Sequence, residues 1–210
     1  MIKNKKIFPN TGDDSIMDKI KIDNDSLSYI TTKYYADQIT QIIVKHLKQI
    51  KIDCINAIIT DATAGVGGNT LSFAKNFKHV HAIEIDKQRS EYLKNNIDIY
   101  KFKNVSIYNN DCMNLLFNFT DHNVVFIDPP WGGKNYKTYD NLTLKINDIT
   151  IESLCNILLT HEKSKKNPEL VVLKLPINYD IKFLYKNLKF CNIYLYNVKK
   201  MYVVVIEKNK

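Results

Sequence analysis

The chain has 210 residues, 45% hydrophobic and 25% charged, a length that suits one domain able to bury roughly 70% of the surface its unfolded form exposes. Four cysteines (Cys54, Cys112, Cys155, Cys191) without a C-x-x-C pair argue for a reducing compartment and, with five histidines at no ligand spacing, against structural zinc; the lack of a membrane-length apolar run or a secretory leader predicts a soluble intracellular protein. The net charge of +8 favours an anionic partner such as nucleic acid, but all basic residues except Arg89 are Lys spread along the chain, so a solvated Lys surface explains the charge equally well.

Residues 1–26 are polar, show no sustained period and are expected as a loose arm or cap. A helix opens at Thr31 or Thr32 as N-cap, with Tyr34, Tyr35, Ile39, Ile42, Ile43, His46 and Leu47 at helical spacing; the two tyrosines are expected to pack. Residues 1–50 are thus read as an N-terminal arm and helix covering the binding site, and 51–210 as the core of a single domain. The core alternates strands and helices. Strands are predicted at 57–60, 80–85, 105–108, 124–127, 170–175, 191–196 and 201–206. Helices are predicted at 69–77, 87–100, 112–117, 148–159 and 180–188. His161 to Glu169 reads as a charged loop. The short connection 197–200 makes the last two strands an antiparallel hairpin. The fold class expected is α/β: a Rossmann-like, seven-stranded, mostly parallel sheet with an antiparallel C-terminal hairpin strand and helices on both faces. That layout is typical of S-adenosylmethionine-dependent methyltransferases of class I.

Two loops carry the chemistry. Asp61-Ala62-Thr63-Ala64-Gly65-Val66-Gly67-Gly68-Asn69 follows the first strand and opens a helix, where α/β sheets bind ligands and where glycine lets backbone approach them closely. A dinucleotide site would want glycine where Thr70 stands; the Asp61-led version suits a cofactor bearing an ammonium and a sulfonium. Glu84, at the end of the second strand, is the candidate for the ribose hydroxyls, with Asp86 flanking and favoured as the N-cap of the next helix. Asp111, followed by Cys112, is placed to accept an adenine amino group or, equally, to serve as an N-cap.

The second loop is Asp128-Pro129-Pro130-Trp131-Gly132-Gly133, leaving the strand Val124 to Ile127. Two prolines fix two φ angles and remove two donors, which leaves carbonyls and a carboxylate able to hold an NH2 group by its hydrogens. Trp131 adds a flat π face beside them.

Together D-A-x-x-G-V-G-G-N-T (Asp61 to Thr70), A-I-x-I-D (Ala82 to Asp86), P-P-W-G-G-x-x-Y (Pro129 to Tyr136) and L-P-x-N (Leu175 to Asn178) resemble the trimethylguanosine synthases. These methylate the exocyclic N2 of a 7-methylguanosine RNA 5′ cap. The resemblance implies S-adenosyl-L-methionine held by Asp61, Ala62, Gly65, Gly67, Gly68, Asn69 and Glu84, with Thr31 closing over it. It implies Trp131 stacking on the 7-methylguanine, with Gly132, Tyr136, Lys134 and Asn178 near the cap. Asp128, Pro129, Pro130 and Trp131 form the expected catalytic set, and Asp128 is expected to touch the cofactor as well. No metal and no membrane are expected, the partner is the capped RNA, and the protein is expected to be a monomer. Two departures stand out. The family often has Ser where Asp128 stands, which makes the loop resemble the D-P-P-aromatic motif of adenine-N6 methyltransferases. Ile177 replaces an Arg suited to cap phosphates, leaving Lys134, Lys137 or Lys174 as substitutes. An adenine-amine methyltransferase and a catalytically silent RNA-binding subunit are the two alternatives, and nucleus, cytoplasm and viral factory are all compatible with the sequence.

Overall fold

The computed structural model describes residues 6–160 and 165–209. Of the expected charged loop, His161 to Ser164 lie outside the described residues, as do Met1 to Lys5 of the expected arm. The chain divides into two compact units, Met1–Leu115 and Leu116–Lys210.

In the first unit, helix α1 (Lys33–Gln49) presents Ala36, Ile39, Ile43, His46 and Leu47 as one buried stripe. Tyr34 falls off that stripe and is 61% exposed, against the expectation of packing. Thr32 is the N-cap residue, but its side chain makes no capping bond. Strand β1 (Ile58–Asp61), helix α2 (Thr70–Asn76), strand β2 (His79–Glu84), helix α3 (Lys87–Ile99) and strand β3 (Val105–Asn109) follow in turn. β1 pairs parallel with β2, and β2 parallel with β3. Ser72 on α2 fastens this helix to α1, donating to Asp37 Oδ1 at 2.6 Å and lying 2.8 Å from the Thr40 hydroxyl.

The segment expected as a loose arm or cap is packed into this unit. Short helices form at Asp14–Met17 and Ser26–Tyr29. Phe8, Met17 and Ile20 are buried in one cluster with Val66, Leu71, Leu93 and Ile97. Asn96, fully buried on α3, accepts from the Lys21 N–H and donates to the carbonyls of Lys21 and Val66. One amide thus ties the N-terminal segment to the glycine loop. Sequence periodicity misses such a segment because its apolar residues are too sparse to show a period, and they find cover only in the tertiary fold.

In the second unit, β4 (Val124–Ile127), β7 (Leu170–Pro176) and β9 (Met201–Lys208) are buried nearly throughout, as expected of strands covered on both faces. β4 pairs parallel with β7, β7 antiparallel with β9, and β8 (Cys191–Val198) antiparallel with β9 around Lys199, whose φ is 58°. Helices α4 (Ile151–Thr160) and α5 (Ile181–Asn187) precede β7 and β8. The helix expected from Asp148 begins instead at Ile151. Ahead of it β5 (Lys145–Ile146) and β6 (Ile149–Thr150) form a tiny antiparallel pair, and Asn147 takes the left-handed φ of 52° that the turn requires.

The main sheet has seven strands in the order β3-β2-β1-β4-β7-β9-β8, mostly parallel, with the C-terminal hairpin strand antiparallel. No described helix is long and apolar enough to cross a membrane.

Candidate active site

The glycine loop of the first unit is held by two carboxylates. Asp61 ends β1 fully buried and accepts a 2.6 Å hydrogen bond from the Thr70 hydroxyl at the start of α2. This explains why threonine, rather than a third glycine, suits that position. Glu84 ends β2 with both oxygens engaged by backbone: Oε2 accepts from the Gly65 N–H at 2.7 Å, and Oε1 from the Asp86 N–H at 2.9 Å. Burial pushes the Glu84 pKa up, while these two N–H donors and Arg89 oppose the shift. An ionised carboxylate has about four lone-pair directions, so both roles, loop tether and hydroxyl acceptor, are compatible.

Gly67 has a φ of 104°, and a Cβ there would meet Leu93 Cδ1 at 2.9 Å. At Gly68 a Cβ would lie 2.7 Å from the Thr31 carbonyl oxygen and 2.8 Å from Ile30 Cγ1. The loop and the segment before α1 therefore touch through bare backbone. Thr31 is buried there and accepts from the Asn69 amide at 3.2 Å. Asn69 Oδ1 is buried without a protein partner, an acceptor suited to an ammonium group. Ala62 is buried in the same loop.

Asp86 is the N-cap of α3, its Oδ1 accepting from the Arg89 N–H at 2.8 Å, as favoured from sequence. Asp111 caps locally, accepting from the Met113 N–H at 2.9 Å, and Cys112 beside it is buried with its thiol pKa pushed up to about 12. Arg89, singled out in the sequence only for its rarity, clamps the N-terminal segment. It lies 3.5 Å from Asp23, 4.0 Å from Asp25 and 5.4 Å from the Tyr29 ring centre.

The proline loop leaves β4 in the second unit. Asp128 accepts a 2.6 Å charge-assisted bond from Lys174 Nζ, and the Lys174 side chain is only 6% exposed. Asp128 itself keeps 19% of its side-chain surface. Burial raises the Asp128 pKa, and the Lys174 charge and hydrogen bond oppose that rise. Pro129 is buried, Pro130 exposed and Trp131 half-buried. The Trp131 indole N–H closes no hydrogen bond of good geometry, although it helps hold Asp128 ionised. Tyr136 stands edge-on to the Trp131 ring, with centroids 5.1 Å apart, and Lys174 Nζ lies 5.0 Å from the Trp131 ring centre.

Gly132 and Gly133 are exposed and open the turn Gly133–Thr138. Asn178 donates to the carbonyls of Tyr136 and Tyr139, both at 2.7 Å, and so pins that turn. The Lys134 side chain lies outside those described. Lys174, a sequence candidate for cap phosphates, is taken up by Asp128 instead. The signal was visible: a lone Lys in the otherwise apolar run Leu170-Val171-Val172-Leu173-Lys174-Leu175, which has to find a counter-charge wherever the strand is buried. No group of three His, Cys, Asp or Glu is placed to hold a metal among the described residues.

Comparison with known proteins agrees with this architecture. A profile of the family described as RNA cap guanine-N2 methyltransferase matches residues 56–210. An uncharacterized protein of Acanthamoeba polyphaga mimivirus is 39% identical over 210 residues, covering 91% of this chain and 80% of that one. The trimethylguanosine synthase of Schizosaccharomyces pombe is 32% identical over 133 residues, 60% of this chain and 53% of that enzyme, so the similarity spans about half the yeast protein. A solved Streptococcus mutans structure, named as a methyltransferase in complex with SAH, shares the fold with a TM-score of 0.53 at 17% identity, over 80% of this chain and 97% of that one.

Proposed function

Because the chain belongs to the family of RNA cap guanine-N2 methyltransferases, we propose that it methylates the exocyclic N2 of 7-methylguanosine in an RNA 5′ cap, using S-adenosyl-L-methionine. The observation that supports this reading best is the loop Asp128–Gly133. It carries a carboxylate acceptor, Asp128, and a half-buried indole, Trp131, on one proline-stiffened stretch of backbone. In this reading the glycine loop binds the methyl donor and the proline loop binds the acceptor amine.

When bound, the cofactor supplies an electrophilic methyl carbon on a sulfonium. The residues fit such a group: Asp61 and Glu84 are buried carboxylates that accept from a hydroxyl and from backbone N–H groups, and Asn69 Oδ1 is an acceptor with no protein partner. Thr31 and the preceding segment cover the glycine loop. On the acceptor side, Asp128 and the Pro129 carbonyl take the amine hydrogens, so that the nitrogen lone pair faces the methyl carbon. In taking up a methyl group the amine would shed one proton, which Asp128 or water would accept. Catalysis is mostly orientation and preorganised acceptors. Trp131 selects the ring: 7-methylguanine is cationic, and a cation over Trp gains about 0.5–2 kcal/mol.

Asp128 itself favours a second reading, an adenine-N6 amine as acceptor. Mass spectrometry after incubation with cofactor and three substrates separates them: a 7-methylguanosine cap analogue, the unmethylated cap, and an uncapped adenine-containing oligonucleotide. The proposal expects one or two added methyl groups on the first and none on the others. Methylation of the oligonucleotide alone would replace it with the adenine reading, and lack of cofactor binding by calorimetry would favour a silent RNA-binding subunit.

A further inference from the structure

β7 is buried along its whole length, Leu170 to Pro176, and Lys174 is its one charged residue. An ammonium in such a strand is expensive to desolvate, and buried ion pairs can often be replaced by apolar side chains of similar volume without loss of stability. Its counter-charge lies 46 positions away in sequence, on the loop that carries the acceptor chemistry. The pair is short, at 2.6 Å, and Nζ also sits 5.0 Å from the Trp131 ring centre. Lys174 thus contacts both side chains that the proposed transfer needs on the acceptor side, while its own burial keeps it from reaching a substrate phosphate.

We propose that Lys174 is a positioning residue for methyl transfer: by bonding Oδ2 of Asp128 beside Trp131, it sets the orientation in which the carboxylate receives the hydrogen of an exocyclic amine. This inference rests on the reading of Asp128 as the amine acceptor and applies whichever amine is methylated. Two consequences follow. The Lys174 bond restricts rotation of the carboxylate and so biases its remaining lone-pair directions relative to the indole plane. The pair is also neutral as a unit, so Lys174 adds no net positive charge beside the face that would take a cationic ring. A carboxylate at 128 and a lysine at 174 therefore belong together, and either alone is a buried, uncompensated charge.

The test is a double-mutant cycle on the full chain, using Lys174→Met, Asp128→Asn and the pair combined. It measures kcat and KM on the acceptor that the wild-type protein methylates, cofactor affinity by calorimetry, and thermal unfolding. Lys174→Met should lower kcat by roughly 10²-fold, the loss typical of a catalytic group misplaced by an ångström, with cofactor affinity nearly unchanged. The double variant keeps a carbonyl acceptor and has no orphaned charge, so it should be faster and more stable than Lys174→Met alone. If Lys174→Met does not fold, the comparison moves to the double variant against Asp128→Asn. A double variant with kcat equal to or higher than that of Asp128→Asn would support action through Asp128, and a lower kcat in the double variant would show that Lys174 acts independently of it and overturn the inference.

A folded Lys174→Met with wild-type kcat would also overturn it, leaving the cap reading intact. Wild-type activity on an adenine amine would remove the cap reading, and the same kcat ratios on that acceptor would still decide the role of Lys174. A wild-type protein that binds cofactor and methylates none of the three substrates would overturn both.

Discussion

The two loops hold their carboxylates in opposite ways. In the first unit, Asp61 and Glu84 are held by neutral donors: the Thr70 hydroxyl and the backbone N–H groups of Gly65 and Asp86. In the second, Asp128 is held by a buried cation, Lys174. Neutral donors fix a carboxylate without cancelling its charge, which suits binding a cation. A lysine cancels the charge while leaving lone pairs in place, which suits orienting a neutral NH2 group. The same residue type is thus prepared for two tasks by what donates to it.

The comparison breaks most sharply at Asp128. Asp128→Ala should lower kcat by about 10²–10³-fold, the range for losing one preorganised polar group, with calorimetric cofactor affinity unchanged. A parallel loss of cofactor affinity would mean that the two loops do not divide the work as described. Next is Gly68→Ala. Its methyl would sit 2.7 Å from the Thr31 carbonyl, backbone that cannot rotate away. The overpacking should cost about 1–3 kcal/mol in denaturant unfolding and weaken cofactor binding, and an unchanged midpoint would refute the close contact.

Trp131→Ala should raise KM for a 7-methylguanosine cap analogue by roughly 2–30-fold, the equivalent of about 0.5–2 kcal/mol, and spare the cofactor. Equal losses for cap and cofactor would make Trp131 a packing residue. The smallest effect is on pH dependence. Asp128 must be ionised to accept a hydrogen, and burial raises its pKa above the ordinary carboxylate value, so kcat should fall on the acid side at a higher pH than for an exposed Asp. Lys174 and the Trp131 N–H are the groups that oppose this rise, so in Lys174→Met the acid limb should move to still higher pH. A limb that stays put, or moves down, would show that Asp128 is not the titrating group.

Much of this was legible in order along the chain. The strand Val124–Ile127 was read to its ends because a continuous apolar run stops abruptly at Asp128-Pro129-Pro130. The N-cap role of Asp86 and the hairpin of β8 and β9 were likewise local patterns. The helix start at Ile151 was misread because Asn147-Asp148 is a turn signal flanked by isoleucines, and it was absorbed into the helix that follows. The burial of Phe8, Met17 and Ile20 was missed because so sparse a segment acquires a core only from distant residues.

By itself the amino-acid sequence determined the alternation of strands and helices, the two functional loops and the residue types they carry, since periodicity, proline and glycine act over a few neighbouring positions. Only the tertiary structure decided which group each side chain meets. Asn96 reaches both Lys21 and Val66, Thr70 answers Asp61, and Lys174 leaves the phosphate candidates to become the partner of Asp128. The physical reason is burial: a charge or amide closed off from water must find its partner in space, and chain position does not say where that partner stands.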